Sequence, residues 1–330
     1  MSRTWDFKEL DESIAQSLND FIPSRVFDVH VHIYRSRDIP AGYDLYKGVQ
    51  EVTKEVWFER QEKQLGEHKL AGGLFVSTTF FYSRLTDLQP ANDYLFEQVA
   101  AHPGYKGLLG VGPASPVEGV LEMIKTGLVA GFKPFCTFSG LDVPYQAPMH
   151  TYVPEWMWEL ADHYGLVFLV HLVRDKALSD PENYLWIRKM CSKYPRAKLL
   201  LDHAARGFHG PNTVEGVRLI SGLDNVYFDT SCICESAPLI AILQEFGTER
   251  LMYGSDFPLS QVRGKTATLG DGFIWLDTET VDWSRMYGKP TLVGLESLRA
   301  VREAVRLLNI GDKGVENIFY NSAMDFLNLE

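Results

Sequence analysis

Eight short apolar runs, separated for the most part by longer helix-like segments, restrict the folds open to this chain more than any other feature. They read VFDVHVHIY (26–34), LAGGLFVSTTF (70–80), YKGLLGVGPAS (105–115), GFKPFCTF (131–138), LVFLVHLV (166–173), AKLLLDHAA (197–205), NVYFDTS (225–231) and RLMYGSDFP (250–258). Strands covered on both faces, as in parallel sheets, give nearly continuous apolar runs, whereas half-solvated strands alternate. Helix-like segments lie between most of them, at 92–102, 116–128, 152–164, 181–194, 213–220 and 235–246. Ser115-Pro116 and Asp180-Pro181 put a capping residue before a proline at the first helical position. Eight strand–helix units in about 230 residues predict a (β/α)8 TIM-type barrel. A doubly wound open sheet is the alternative, but such sheets do not normally run to eight regular units.

The remaining segments fit around that barrel. Phe7, Leu10, Ile14, Leu18 and Phe21 keep a helical period, so an N-terminal helix is expected over 6–21. From Leu292 onward, Leu295, Leu298, Val301, Val305 and Leu308 form a second helical stripe, predicting C-terminal helices. Residues 35–69 and 259–291 break the rhythm after the first and eighth strands, where long loops would wall a substrate pocket. With no repeat, low-complexity tract or linker, residues 1–330 read as a single domain.

Charge and composition narrow the function classes. A formal charge of −11 argues against a general nucleic-acid binder, which needs basic surface to displace phosphate counterions. No apolar run approaches the roughly 18 residues needed to span a bilayer. The first residues lack the charged-then-apolar order of a signal peptide, so a cytoplasmic location and no membrane partner are expected. Four scattered cysteines (Cys136, Cys191, Cys232, Cys234) fit free thiols in a reducing compartment. Cys232 and Cys234 resemble a thiolate pair, yet with no partner cluster nearby they read as a packing layer.

The chemistry-bearing residues gather at strand ends. His30 and His32, two apart on one strand, face the same way. The fifth run ends on His171, the sixth on His203 and the eighth on Asp256, just before a proline. Barrel active sites are assembled from several strand ends at once. Imidazole and carboxylate are the ligand set of Zn²⁺ and are also accepted by Mn²⁺ or Fe²⁺. His30, His32, His171 and Asp256 could hold one ion, with His203 facing the reacting group. Asp256 could take a proton from metal-activated water. Asp229 is either an orienting group for a histidine or a helix cap. Asp28 and Asp202 read as structural, turned to the opposite faces of their strands. His68, His102, His150, His163 and His209 read as loop or helix-face residues.

The HxH on the first strand, histidines on the fifth and sixth and aspartate on the eighth resemble the amidohydrolase superfamily. DVHVH, LDHAARGF, YGSDFP and NSAMDFLNL resemble its amidohydrolase-related branch, which contains aminocarboxymuconate-semialdehyde decarboxylase-like enzymes. The resemblance runs from about residue 25 to the C-terminus. It implies a distorted barrel in which His30, His32, His171 and Asp256 are metal ligands and His203 is catalytic. Binuclear members carry a carbamylated lysine on the fourth strand, the position of Lys133. If Lys133 were carbamylated, His171 and His203 would serve a second ion. An unmodified lysine, and so one ion, is the reading favoured here.

A carboxylated substrate would call for arginine, whose guanidinium matches a carboxylate bidentately. Arg206 and Arg174, each three residues after a strand-end histidine, are the strongest candidates. Arg35, Arg37, Arg263 and Lys265 are weaker, and Tyr34, Phe135, Phe138, Phe257 and Trp275 could line a pocket. The expected function is metal-dependent hydrolysis of a small carboxylated lactone or amide. There Asp256 moves the proton and His203 stabilises the oxyanion. Nonoxidative decarboxylation of a carboxylated aromatic or unsaturated acid is the alternative. A non-enzymatic metal- or ligand-binding barrel is the remote one. A homo-oligomer is compatible with all of these.

Overall fold

The computed structural model describes residues 6–38, 51–77, 88–100 and 102–329. Part of the expected wall at 35–69 (39–50) and the end of the second run (78–80) therefore lie outside the described residues. Eight parallel strands follow one another around the molecule: β1 Val26–Arg35, β2 Leu70–Ser77, β3 Tyr105–Gly110, β4 Val129–Lys133, β5 Val167–Val170, β6 Lys198–Leu201, β7 Val226–Asp229 and β8 Leu251–Met252. The ring closes by backbone hydrogen bonds between β1 and the chain leaving β8. Val29 N donates to Tyr253 O (3.0 Å), Asp256 N to His30 O (2.8 Å) and His32 N to Phe257 O (2.7 Å). A two-residue strand, Glu51–Val52, adds antiparallel to the end of β1. The expected barrel is the observed one.

The longer helices are α1 Glu9–Leu18, α2 Lys54–Leu65, α3 Gln89–Ala100, α4 Val117–Lys125, α5 Glu155–Tyr164, α6 Pro181–Lys193, α7 Gly210–Leu219, α8 Ser236–Phe246 and α9 Val293–Leu307. Asp180 caps α6 as its sequence requires, accepting from Glu182 N at 3.0 Å with Pro181 at the first position. At α4 the order slips by one: Pro116 is itself the cap residue, and Ser115 Oγ accepts from Gly112 N instead. Among the described residues no helix is long and apolar enough to cross a membrane.

Two apolar layers sandwich the strands. Phe27, Val29, Leu74, Leu108, Leu169, Leu200, Tyr227 and Met252 fill the barrel with Phe326 from the C-terminal segment. A larger layer packs the outer strand faces on the helices, with Leu295, Leu298, Val301 and Val305 of α9 as the expected stripe.

Strand alternation then determines what reaches the rim. Leu169, Leu200, Tyr227 and Met252 point inward, so His171, Asp202, Asp229 and Asp256 continue their inward rows. β1 needs a correction to the phase. Three steps from Asp28 to Val31 oppose two steps from Gly73 to Phe75, a bulge that admits an extra residue. It lets Val29 point into the barrel core and His30 and His32 also turn inward, while Asp28 faces α2.

After β8 the chain forms a hairpin of β9 (Gly264–Leu269) and β10 (Gly272–Asp277), within the segment expected to wall the pocket.

Candidate active site at the barrel rim

A cavity of about 280 Å³ opens at the carboxyl ends of the strands. His30, His32, Lys133, His171, Asp202, His203, Arg206 and Asp256 line it, with Phe135, Phe208, Phe273 and Trp275 as aromatic walls.

Three donor atoms meet at its floor. His30 Nε2 stands 3.0 Å from His32 Nε2 and 3.5 Å from Asp256 Oδ1, and His32 Nε2 stands 3.2 Å from the same oxygen. Ligands on bonds of about 2.0–2.1 Å around a tetrahedral ion sit roughly 3.3 Å from one another, so this spacing suits a divalent cation. The electrostatics agree. Burial holds His32 in its neutral form, its pKa down to about 4, and pushes His171 well below the ordinary histidine value. Burial opposes charge on Asp256 too, but His30, His203 and His32 outweigh it and hold the carboxyl well below its usual range. For His30, burial is outweighed by Asp202, Asp256 and Asp229, which raise its pKa. His32 and His171 held neutral beside an ionised Asp256 are metal-ligand types, and with the His30 Nε2 spacing the donors present fit a divalent ion.

His171 falls into a second group. Its ligand atom clusters with those of Asp202 and His203, and its ring meets His203 edge-on at a centroid distance of 5.0 Å. His30 bridges the groups, its Nε2 lying 3.9 Å from Asp202 Oδ2.

Asp202 corrects the sequence reading. It was expected to be structural and turned away; it lines the cavity and pairs with the buried Lys133 ammonium. The reason is parity: Asp202 follows Leu200 inward, so continued extension would turn His203 outward. His203 reaches the cavity only because the chain turns left-handed. His203, Ala204, Ala205 and Arg206 have φ of 54°, 50°, 60° and 62°, and Gly207 N closes the turn on His203 O at 2.6 Å. Such backbone costs about 1–2 kcal/mol per non-glycine residue, and helical spacing brings residues three apart to one face. The turn thereby delivers His203 and Arg206 to the same cavity.

The arginines separate. Arg206 lines the cavity, with its guanidinium over the Phe273 ring and NH1 donating to the Arg174 carbonyl at 2.7 Å. Arg174 is not among the lining residues; its guanidinium is held by Asp180 (2.9 Å) and the Gln146 carbonyl (3.0 Å). Its expected contact with substrate is therefore not what the structure places there; its backbone instead steadies Arg206. Arg35 is taken by Asp38 and Arg263 by Asp11. Of the five aromatic candidates, Phe135 and Trp275 line the cavity, while Tyr34 and Phe257 are core and Phe138 borders a separate groove. Among the described residues of 35–69 none lines it; the hairpin supplies that wall, with Phe273 and Trp275 on β10.

The supporting shell is polar. Asp229 accepts from His30 Nδ1 (2.9 Å) and His203 N (2.7 Å), which makes it an orienting group. Asp28 is structural, as expected: it accepts from Trp57 Nε1 and from Ser255 N and Oγ, tying α2 to the chain just before Asp256. Burial lifts its pKa to about 6. Cys232 remains a neutral thiol, pushed up by burial, with Sγ donating to Asp256 Oδ2 at 3.7 Å. Tyr145, Phe208 and Phe273 carry no strand-end signature, and Ser231, although it closes the seventh run, is not of a residue type that the metal-ligand pattern singles out.

Comparison with known proteins agrees with this geometry. An amidohydrolase from Burkholderia multivorans matches over 93% of this chain and 100% of that one, with 14% identity and a TM-score of 0.63; a second crystal form of it holds zinc. A putative 2-pyrone-4,6-dicarboxylic acid hydrolase from Pseudomonas putida matches at 17% identity over 93% and 99%, with a TM-score of 0.56. A 5-carboxyvanillate decarboxylase from Sphingomonas paucimobilis matches at 16% identity over 93% and 100%, with a TM-score of 0.57. No curated protein sequence matches the chain. These likenesses show a shared fold. The family model described as Amidohydrolase matches residues 28–283, spanning the metal-type ligands from His30 to Asp256. The chain belongs to the amidohydrolase family and is an enzyme of its metal-dependent type.

Proposed function

We propose that this enzyme hydrolyses a small carboxylated lactone or amide with one divalent ion, Zn²⁺ in preference to Mn²⁺. The observation that carries the reading is the meeting of His30 Nε2, His32 Nε2 and Asp256 Oδ1 within 3.5 Å at the floor of a cavity that Arg206 also lines. An ion held by these residues, with His171 beside them, would supply Lewis acidity and acidify a water. Asp256 and His203 are the groups placed to move the proton between that water and the leaving group. Arg206 has four donors beyond the one given to Arg174 O, enough for a bidentate grip on a substrate carboxylate. Pairing with Asp202 favours Lys133 as an unmodified cation, and with it the single ion. The remaining expectations go with this reading: a single catalytic domain in the cytoplasm, with a small molecule as its partner and no nucleic acid or membrane.

Decarboxylation is the second reading, and the aromatic wall favours it. Phe208 packs on Phe273 and Trp275 at centroid distances of 5.1 and 5.7 Å, a surface that suits a planar ring. Both a pyrone dicarboxylate hydrolase and a carboxyvanillate decarboxylase share the fold. The zinc-loaded protein, assayed on carboxylated lactones, amides and benzoates, separates the two. Acid release without CO₂ is expected; CO₂ release from the benzoates alone would move the enzyme to the lyases.

A further inference from the structure

The proposed hydrolysis leaves open which nitrogen of His203 faces the substrate with a proton. We infer that Ser231 is a positioning residue that fixes His203 as its Nδ1–H tautomer and so turns an Nε2 lone pair toward the cavity. Only the use made of that lone pair rests on the proposed reaction.

The inference is a count of protons among buried groups. Ser231 is fully buried at the end of β7. Its Oγ lies 2.6 Å from Asp229 Oδ1, 2.8 Å from His203 Nδ1 and 3.2 Å from His30 Nδ1. A hydroxyl has one proton and two lone pairs, and an ionised carboxylate only accepts. Asp229 Oδ1 already accepts from the backbone N–H of His203 (2.7 Å) and of Ser231 (3.0 Å), the surroundings of an acceptor, so it takes the hydroxyl proton at the shortest of these contacts. Ser231 Oγ then has only lone pairs to offer His203, and Nδ1 must carry the hydrogen. The Ser231 carbonyl oxygen, 3.1 Å from the same nitrogen, also only accepts. The opposite tautomer would set the Nδ1 lone pair against that carbonyl and withdraw the hydroxyl proton from Asp229. Asp229 Oδ2 imposes the same tautomer on His30 from 2.9 Å.

The Asp229–Ser231 pair thus aims two imidazole lone pairs into one cavity. The order of proton transfer follows. His203 Nε2 takes a proton from the attacking water as the water oxygen bonds to the carbonyl carbon, and returns it to the leaving oxygen or nitrogen as that bond breaks. Direct hydrogen bonding from resting His203 to an oxyanion, expected from the sequence, requires the other tautomer.

The test is the side-chain nitrogen spectrum of the full-length protein labelled with ¹⁵N-histidine, zinc-loaded and zinc-free, with His203→Gln assigning the signal. His203 is expected as Nδ1–H in the wild type. In Ser231→Ala the tautomer ratio should shift about five-fold or more toward Nε2–H, the order expected on losing one hydrogen bond. A wild-type His203 protonated mainly at Nε2 overturns the assignment without any variant. Unchanged His203 nitrogen shifts in Ser231→Ala would remove Ser231 from the role. Because the spectrum reads no turnover, these results stand whether the enzyme proves a hydrolase or a decarboxylase.

Discussion

At the scale of single residues, burial decides what each group can do. His32 is buried with its pKa lowered from 6.5 to about 4, so between those values the unfolded chain binds a proton that the native protein refuses. The stability contributed is complete above pH 6.5 and falls as pH drops toward 4, by up to about 3 kcal/mol. In chelator-treated protein, urea unfolding should show the wild type losing stability across that window more steeply than His32→Leu; parallel curves would contradict it. Lys133 and Asp202 are both about 1% exposed and each is the other's counter-charge. Lys133→Met should cost about 3–5 kcal/mol by stranding the carboxylate, and adding Asp202→Leu should recover most of it. The sequence exposed Lys133, lone in an apolar run. It concealed Asp202, whose direction depends on a parity that only the packed neighbours of Leu200 establish.

At the scale of elements, the strand ends aim the chemistry. The bulge in β1 turns His30 and His32 inward, and the left-handed turn after β6 does the same for His203 and Arg206. The histidines were legible as residues at run ends, but neither irregularity was, because each is a backbone conformation set by the strand alongside. The end of β8 is equally tight. A Cβ on Gly254 would stand 3.0 Å from His30 Cβ and 3.2 Å from Asp229 Cβ. Gly254→Ala should therefore displace the His30 ring and weaken zinc binding about 10–100-fold, as losses of orienting partners do. Competition against a chelator measures this, and an unchanged affinity would show that the close approach does not matter.

At the scale of the whole molecule, the donors come from β1, the end of β5 and the chain after β8, so an ion held there ties together distant parts of the barrel. Zinc at about 100 times its dissociation constant should stabilise the fold by about 2.7 kcal/mol, a rise of roughly 4 °C in Tm. A calorimetric midpoint indifferent to zinc would argue against a bound ion. The run pattern by itself determined the barrel, because continuous apolar strands alternating with amphipathic helices can bury both faces in few other ways. It also determined that His30, His32, His171, His203 and Asp256 stand at strand ends. Only the tertiary structure decided that Asp202 joins them, that Arg174 turns away to Asp180, and that Phe273 and Trp275 close the cavity. Those outcomes depend on strand phase, on a left-handed turn and on a hairpin folding back over the rim. None of these is a local property of the residues concerned.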